Sequence, residues 1–248
     1  SPNATRLRNT RNITPNNSGL RLACSSTSAL SPYSTRSGVA GPNPDLRTGA
    51  WPERMGVMDE QLVPDSKDWT WVLERVCEEC GFDSSRHAVA DLPALIREST
   101  WLFGAALRQS DHAVRPSPST WSTLEYVAHV RDVHRVFAER LRLMLAQDAP
   151  TFANWDQDQS AEADDYASQD RDVLDVELVE AAAEVAGIYA GIQAAQLDRL
   201  GRRSDGNEFT IESLGRYHLH DVVHHLHDIG WDLGQRGDSW LEITAVRE

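Results

Sequence analysis

The segment from Tyr217 to Ile229, YHLHDVVHHLHDI, holds five of the nine histidines in the chain. It contains neither Gly nor Pro, and its apolar residues recur at intervals of three and four, which predicts an α-helix. These apolar positions are Leu219, Val222, Val223, Leu226 and Ile229. We therefore interpret the other segments of the chain relative to this helix.

Two pairs of side chains in this helix have the spacing of a metal site, because residues four apart lie on one helical face. One pair is His220 with His224, and the other is Asp221 with His225. Imidazole nitrogen and carboxylate oxygen both suit zinc and similar divalent ions. The helical wheel leaves the choice between the pairs open, and it predicts that at least three of the five histidines lie on a solvated face.

The distribution of charge excludes some partners. The net charge is −14, whereas residues 1–50 hold six Arg and one Asp, so the negative charge lies in the remainder. An acidic globular part argues against nucleic acid as a partner. No apolar run is as long as a membrane span, which argues against a membrane protein. Three cysteines in 248 residues do not make a disulfide framework, and we expect a reducing, cytoplasmic setting.

Residues 1–60 are predicted to be a disordered or non-native tail, because residues 1–50 are rich in Ser, Asn, Pro, Thr, Arg and Gly without apolar periodicity. Their Arg and Ser content also fits a transit peptide, and Met55 or Met58 is an alternative start of the chain. Residues 61–90 are predicted to be a short helix and linker, with a helix from Lys67 to Cys80 closed by Gly81.

The linker contains one CxxC motif, Cys77 and Cys80. A zinc ribbon needs a second such pair, and a thioredoxin-like motif needs a βαβ context. Neither accompanies this motif, and the nearest further ligand candidate is His87. The interpretation favoured for the two cysteines is therefore packing beneath a helix.

Residues 91–248 are predicted to form an all-α four-helix bundle. The first helix begins at Asp91 with Pro93 close behind, and the second begins near Ser119, or at Ser122 with Glu125 as a capping box. The third spans about Val173 to Leu200 and ends at Gly201, and Thr210 caps the fourth. Residues 148–172 form a polar connection of a length that often covers a functional site. Bundles of this kind commonly hold metal sites on facing helices.

The second helix offers a third metal ligand, His129. It lies on the stripe predicted to be buried, whereas Arg131, Asp132 and Arg135 are predicted to face away. A single histidine on an apolar face is usually a core residue, but a second ligand pair on the fourth helix favours a ligand role. Three protein ligands with an open position are typical of a catalytic metal site. The stripe comprises His129 with Tyr126, Val133, Val136 and Phe137.

The segments TWSTLEYVAHVRDV and YHLHDVVHHLHDI, in this order and spacing, resemble the DinB/YfiT-like superfamily of four-helix-bundle metalloenzymes over residues 91–234. The resemblance implies one ligand on the second helix, His129, and a His-x3-His pair on the fourth helix that ends at the second His of a doublet, His225. Asp221 then stands where the family usually has His. A carboxylate there is similar to the mycothiol-dependent maleylpyruvate isomerase branch, in which Glu fills that place. The competing ligand set is His129, His220 and His224.

The function that the resemblance implies is a metal-dependent thiol S-transferase or isomerase, with zinc or nickel and a low-molecular-weight thiol such as mycothiol or bacillithiol. The metal would lower the pKa of the thiol, and the thiolate would attack an electrophile without any protein nucleophile. Suggested auxiliary groups are His218, Tyr126 and Arg131. The implied partners are the thiol and the electrophile, and a homodimer is left open. The alternatives are a non-catalytic metal-binding bundle, for sensing or stability, and a metal-free structural protein.

Overall fold

The structure, a computed structural model, describes residues 68–231. Within them lie five helices: α1 (Leu92–Leu107), α2 (Thr123–Ala146), α3 (Gln157–Ala163), α4 (Arg171–Gly191) and α5 (Ile211–Asp228). Three short strands accompany them: β1 (Thr151–Phe152), β2 (Leu200–Arg203) and β3 (Glu208–Thr210). The predicted tail of residues 1–60 and the residues after 231 lie outside the described part.

The four long helices α1, α2, α4 and α5 pack into the predicted all-α four-helix bundle. Helices α4 and α5 each pack against both α1 and α2. The apolar interior forms two clusters of buried side chains, one toward the start of α5 and one around its later residues Val222 and Leu226. Helix α5 therefore lies along the core, which places its polar side chains near buried surfaces. None of the helices in residues 68–231 has the length and apolarity needed to cross a bilayer.

Two of the predicted helix starts are confirmed by their capping bonds. The hydroxyl of Ser122 accepts from the backbone N–H of Glu125 at 3.3 Å, and the Glu125 carboxylate accepts from the Ser122 N–H at 2.8 Å. The hydroxyl of Thr210 accepts from the N–H of Ser213 at 3.0 Å. These reciprocal bonds satisfy amide groups that a helix start leaves without partners. The two caps therefore fix the starts of the two helices that carry the predicted ligands.

The predicted third helix ends too late, because α4 stops at Gly191 and residues 200–203 form a strand. Strand β2 pairs in antiparallel register with β3 and in parallel register with β1. Its side chains alternate between exposed and buried, a period that suits a strand and not a helix. A Cβ on Gly201 would lie 2.7 Å from atoms of Met144 and Phe152, so this close approach requires glycine.

The predicted helix from Lys67 to Cys80 is also wrong. Only Trp69–Leu73 forms a helical turn, of the 3₁₀ type, and Asp68 caps it. The N–H of Cys77 then bonds forward to the Phe82 carbonyl at 2.9 Å, which is incompatible with a continuing helix. Gly81 adopts a φ of +75°, a left-handed conformation that favours glycine. Cys77 and Cys80 therefore lie in a tight turn.

The connection between α2 and α4 is more ordered than the sequence suggests. Residues 148–172 contain β1, α3 and a 3₁₀ turn at Tyr166–Ser168. Trp155 stacks on the ring of His129 at 5.3 Å between centroids, and Asp158 lines a cavity above α5. The connection thus covers the same end of the bundle to which the predicted ligands point.

Candidate metal centre

Helix α5 buries most of its histidines, contrary to the prediction of a solvated face. His218, His220 and His224 are buried, His225 is partly buried and His227 is exposed. The physical reason is that α5 packs against α1 and α2 and is also covered by the turns that precede the bundle. A helical wheel of α5 could not predict this burial, because the residues that cover the helix precede α1 in the chain.

The first cluster consists of His129, Asp221 and His225, the three residues that the family resemblance implied. One ligand atom from each lies within 4.8 Å of the other two. The Nε2 atom of His129 is 3.4 Å from Oδ1 of Asp221, and the Nε2 atom of His225 is 3.5 Å from the same oxygen. Helices α2 and α5 therefore bring two imidazoles to one carboxylate oxygen.

The donor atoms of this cluster fit a divalent ion. Both ring nitrogens of the fully buried His129 and Oδ1 of Asp221 have no hydrogen-bond partner. The 3.4 Å contact between Nε2 of His129 and Oδ1 of Asp221 is at ion-pair distance. A buried polar atom without a partner costs about 1–3 kcal/mol, and an ion is one of the few things that accounts for such a group. Nitrogen and carboxylate oxygen in this combination are ligands that zinc accepts.

The protonation states of the cluster also suit metal binding. Burial lowers the pKa of His129, although its contact with Asp221 opposes the shift. Burial alone would raise the pKa of Asp221, but the contacts with His129 and the neighbouring His225 lower it below its usual range. At neutral pH the carboxylate is therefore ionised and the His129 imidazole neutral, which are the forms that bind metal ions.

A second carboxylate orients His225. The Nδ1 atom of His225 donates to Oδ2 of Asp228 at 2.8 Å, which leaves Nε2 directed at Asp221. A histidine ligand commonly donates its other ring N–H to a carboxylate in this way, which fixes its tautomer and ring orientation. The ring of Tyr126 lies 5.2 Å from that of His225. The first cluster thus has supporting contacts of the kind that metal sites have.

A cavity of about 220 Å³ opens above the cluster, and Asp221 and His225 form part of its wall. Its polar lining includes three carboxylates and three histidines, and neither Lys nor Arg is among the described residues that line it. The other lining residues are Trp69, Ser119, Trp121, Tyr126, Gln157, Asp158, Tyr217, His220, His224 and Asp228.

A second cluster, which the sequence analysis missed, unites Cys77 and Cys80 with His220 and His224. All four residues are buried, and both cysteines are free thiols. The competing set of His129, His220 and His224 is not brought together in residues 68–231. The C-x2-C and H-x3-H spacings of this cluster are visible in the sequence, but neither spacing shows that the two motifs lie together. His87, the ligand candidate nearest to the cysteines, instead stacks on Phe82.

The three suggested auxiliary residues have different surroundings. Tyr126 lines the cavity. His218 is buried, with Nδ1 3.0 Å from the Tyr189 hydroxyl and Nε2 2.9 Å from Nδ1 of His134, a residue that sequence reasoning did not single out. Its role is therefore in a core hydrogen-bond chain, because it does not line the cavity.

Arg131 does not face away into solvent as predicted, since its side chain is only 5% exposed. It donates to Asp132 and Glu177, each at 2.8 Å, and to Gln169. A helical wheel places Arg131 away from the stripe of His129, but α4 and the connection before it cover this side of α2. Arg131 therefore joins these elements and does not line the cavity.

The comparisons with known proteins agree with this architecture. The model of the DinB superfamily matches residues 96–229. Among solved structures, YfiT from Bacillus subtilis, described as "a probable metal-dependent hydrolase with an unusual four-helix bundle topology", has the same fold. Its TM-score is 0.52 at 20% sequence identity, over 66% of this chain and 90% of that chain. No curated protein matches the chain. Because the family model covers more than half of the chain, this protein belongs to the DinB superfamily.

Proposed function

We propose that the protein is a divalent-metal-dependent thiol S-transferase or isomerase, with His129, Asp221 and His225 as the metal ligands. The observation that carries the proposal is a set of three donors, with buried and unpaired ligand atoms on two of them, beside a cavity. Three protein ligands leave a position for a further ligand, as catalytic zinc sites do. Zinc or nickel suits two imidazoles and one carboxylate.

A divalent ion held by these residues would supply a Lewis acid that lowers the pKa of a bound thiol. Three residues of the chain would support this chemistry by retaining the ion, orienting a ligand or excluding water. Asp221 contributes the negative charge that retains the ion, and Asp228 orients His225 through its 2.8 Å hydrogen bond. Trp155 packs on His129 and shields that ligand from water. In the proposed transfer the thiol releases its proton to water, its sulfur bonds to an electrophilic carbon, and the leaving group departs from that carbon with its electron pair. In the proposed isomerisation the thiolate adds to a carbon–carbon double bond, and after rotation about that bond it is expelled again with its electron pair.

The proposed co-substrate is a low-molecular-weight thiol of the mycothiol or bacillithiol type. Asp158 and Asp228 line the space next to Asp221. Carboxylates accept hydrogen bonds from hydroxyl groups, so these residues suit a thiol that carries hydroxyls. The reaction needs a supply of reduced thiol, which suits the cytoplasmic setting expected from the cysteine content.

Cobalt substitution of the full chain tests the proposal. Cobalt reports its ligands by visible absorption, and we expect a neutral hydroxylated thiol to change the spectrum of the wild type but not of His129→Ala. The exposed His227 offers the matched control His227→Ala, which should behave as the wild type. If the thiol leaves the wild-type spectrum unchanged at saturating metal, thiol transfer is excluded.

A second candidate function is hydrolysis, because YfiT is described as "a probable metal-dependent hydrolase" and has the same fold. Water would then be the nucleophile in place of the thiol, and the polar cavity would accommodate it. Loss of metal in His129→Ala together with a spectrum that no thiol perturbs would favour this candidate. A protein that takes up no metal at all would leave only the structural alternative.

A further inference from the structure

The second cluster has the composition and spacing of a structural zinc site. Cys77 and Cys80 have the C-x2-C spacing, and His220 and His224 have the H-x3-H spacing, of Cys2His2 sites. One ligand atom from each of the four lies within 4.8 Å of the others. With Zn–S near 2.3 Å and Zn–N near 2.0 Å, tetrahedral ligands lie roughly 3.3–3.8 Å apart. The observed 3.8 Å between Sγ of Cys77 and Nδ1 of His224 is already at that separation.

The backbone holds the two thiols together. The turn from Cys77 to Phe82 is closed by two hydrogen bonds of 2.9 Å, from Cys77 N–H to the Phe82 carbonyl and from Gly81 N–H to the Cys77 carbonyl. Gly81 makes the turn possible through its positive φ. Both cysteines are therefore presented from a fixed loop, which reduces the conformational entropy that ligand binding would otherwise cost.

The two histidines present ring nitrogens to the same place. His224 directs Nδ1 at Cys77, while its Nε2 lies 3.5 Å from the Glu79 carboxylate and 3.9 Å from that of Asp228. This is the outer carboxylate contact that metal-bound histidines commonly make. His220 is only 3% exposed, and its Nε2 is buried without a hydrogen-bond partner. One ring nitrogen of His220 lies within 4.8 Å of the ligand atoms of the other three residues, which favours a ligand role for it.

A redox role for the cysteine pair fits less well. Reactive CxxC cysteines have a lowered pKa and partial exposure. Here both cysteines are buried, without the partial exposure of reactive thiols. Aromatic rings pack on the two histidines, with the ring of Trp69 4.8 Å from that of His224 and the ring of Phe82 5.6 Å from that of His220. Buried thiols in this setting suit a structural site better than a redox site.

We propose that Cys77, Cys80, His220 and His224 bind one zinc ion, separate from the ion proposed for His129, Asp221 and His225. The two cysteines precede residues 96–229, the part that the family model matches, so half of this site lies outside the shared family region. Four protein ligands leave no open position, and the role of the ion is therefore structural.

The proposed ion would tie the turns before the bundle to α5. It would thereby fix Trp69, a cavity residue, and the rotation of the helix that presents Asp221 and His225. Each α-helical residue is turned by about 100° from the one before it, so the pair at 220 and 224 and the pair at 221 and 225 face neighbouring directions. One helix can thus serve both sites.

Metal content and the cobalt spectrum of the full chain test this inference. The wild type should bind about two equivalents of metal, because two separate ligand sets are present. The double variant Cys77→Ser/Cys80→Ser should lose one equivalent and keep the other, and His129→Ala should lose the other. Cys24→Ser is the matched control, since Cys24 is the third cysteine of the chain; it should retain both. This pattern also distinguishes a failure of this inference from a failure of the proposed function, because the metal bound at one site can be measured when the other site binds none.

If the double variant does not fold, the cobalt spectrum of the wild type still tests the proposal. Cobalt bound by two thiolates absorbs strongly in the near ultraviolet by charge transfer, which a site of imidazole and carboxylate ligands does not do. We expect this band in the wild type and in His129→Ala. Its absence from the metal-saturated wild type, or a Cys77–Cys80 disulfide in the purified protein, would overturn the proposal.

Discussion

The consecutive residues His224 and His225 of α5 belong to different ligand clusters. Their rings lie at 82° to each other with centroids 5.8 Å apart. His224 meets the cysteine turn through Nδ1, whereas His225 meets Asp221 through Nε2. Each i,i+4 pair of the helix therefore faces its own set of partners.

Loss of a first-cluster ligand should abolish binding at that cluster only. In Asp221→Ala, the metal affinity of the first cluster should fall by more than the roughly 10–100-fold that loss of an outer contact causes, since the variant removes the only carboxylate of the set. Elemental analysis beside His220→Ala measures this. Asp221→Ala should retain the metal of the cysteine cluster, and His220→Ala should retain that of the first cluster. Loss of the same equivalent in both variants would show that one site exists.

Asp228 contacts a histidine of each cluster, whereas Glu79 lies against His224 of the cysteine cluster, so the two carboxylates should affect the clusters differently. Asp228→Asn weakens the acceptor that holds Nδ1 of His225, and the metal affinity of the first cluster should fall roughly 10–100-fold. Glu79→Gln is the matched change at His224, and it should weaken only the cysteine cluster. Competition with a chelator of known affinity measures both. Equal effects of Glu79→Gln on the two clusters would contradict the separation.

The buried His134 should make the protein less stable in mild acid. Burial lowers its pKa from 6.5 to about 4. Between these values the unfolded chain binds a proton that the folded chain does not, so the free energy of unfolding falls as the pH drops through this window. The loss from His134 between pH 7 and pH 5 should be about 2 kcal/mol.

Urea unfolding of wild type and His134→Gln at both pH values measures this contribution. The variant cannot titrate at this position, so its stability should fall by about 2 kcal/mol less than that of the wild type. His227→Gln, at an exposed position of α5, is the control and should keep the wild-type dependence. An unchanged pH dependence in His134→Gln would show that another group is responsible.

Two glycines should respond in opposite directions to replacement by alanine. A Cβ at position 201 would lie 2.7 Å from a ring atom of Phe152, and Gly201→Ala should lower the free energy of unfolding by about 1–3 kcal/mol. Gly187 lies inside α4 with open space around it, and Gly187→Ala should raise that free energy by roughly 0.5–1 kcal/mol. Denaturant unfolding measures both. A neutral Gly201→Ala would mean that β2 can move away from α2.

The sequence by itself determined the elements whose signals are local. Ser122 with Glu125 and Thr210 predicted the starts of α2 and α5, because capping bonds involve residues only three apart. The apolar periodicity of α5 and the two family motifs predicted the bundle. The resemblance also implied the set of His129, Asp221 and His225, which the structure brings within reach of one ion.

Only the tertiary structure decided which histidines of α5 are buried and what they meet. A helical wheel describes one helix, and it contains no information on the turns that cover its second side. Cys77 and His224 are 147 residues apart, and neither the C-x2-C nor the H-x3-H spacing predicts that the two motifs lie together. Likewise Arg131 was assigned to solvent, because nothing near it in sequence shows that Glu177 and Gln169 cover it. Contacts between distant segments depend on how the helices pack, and packing brought the cysteine turn and the paired histidines of α5 together.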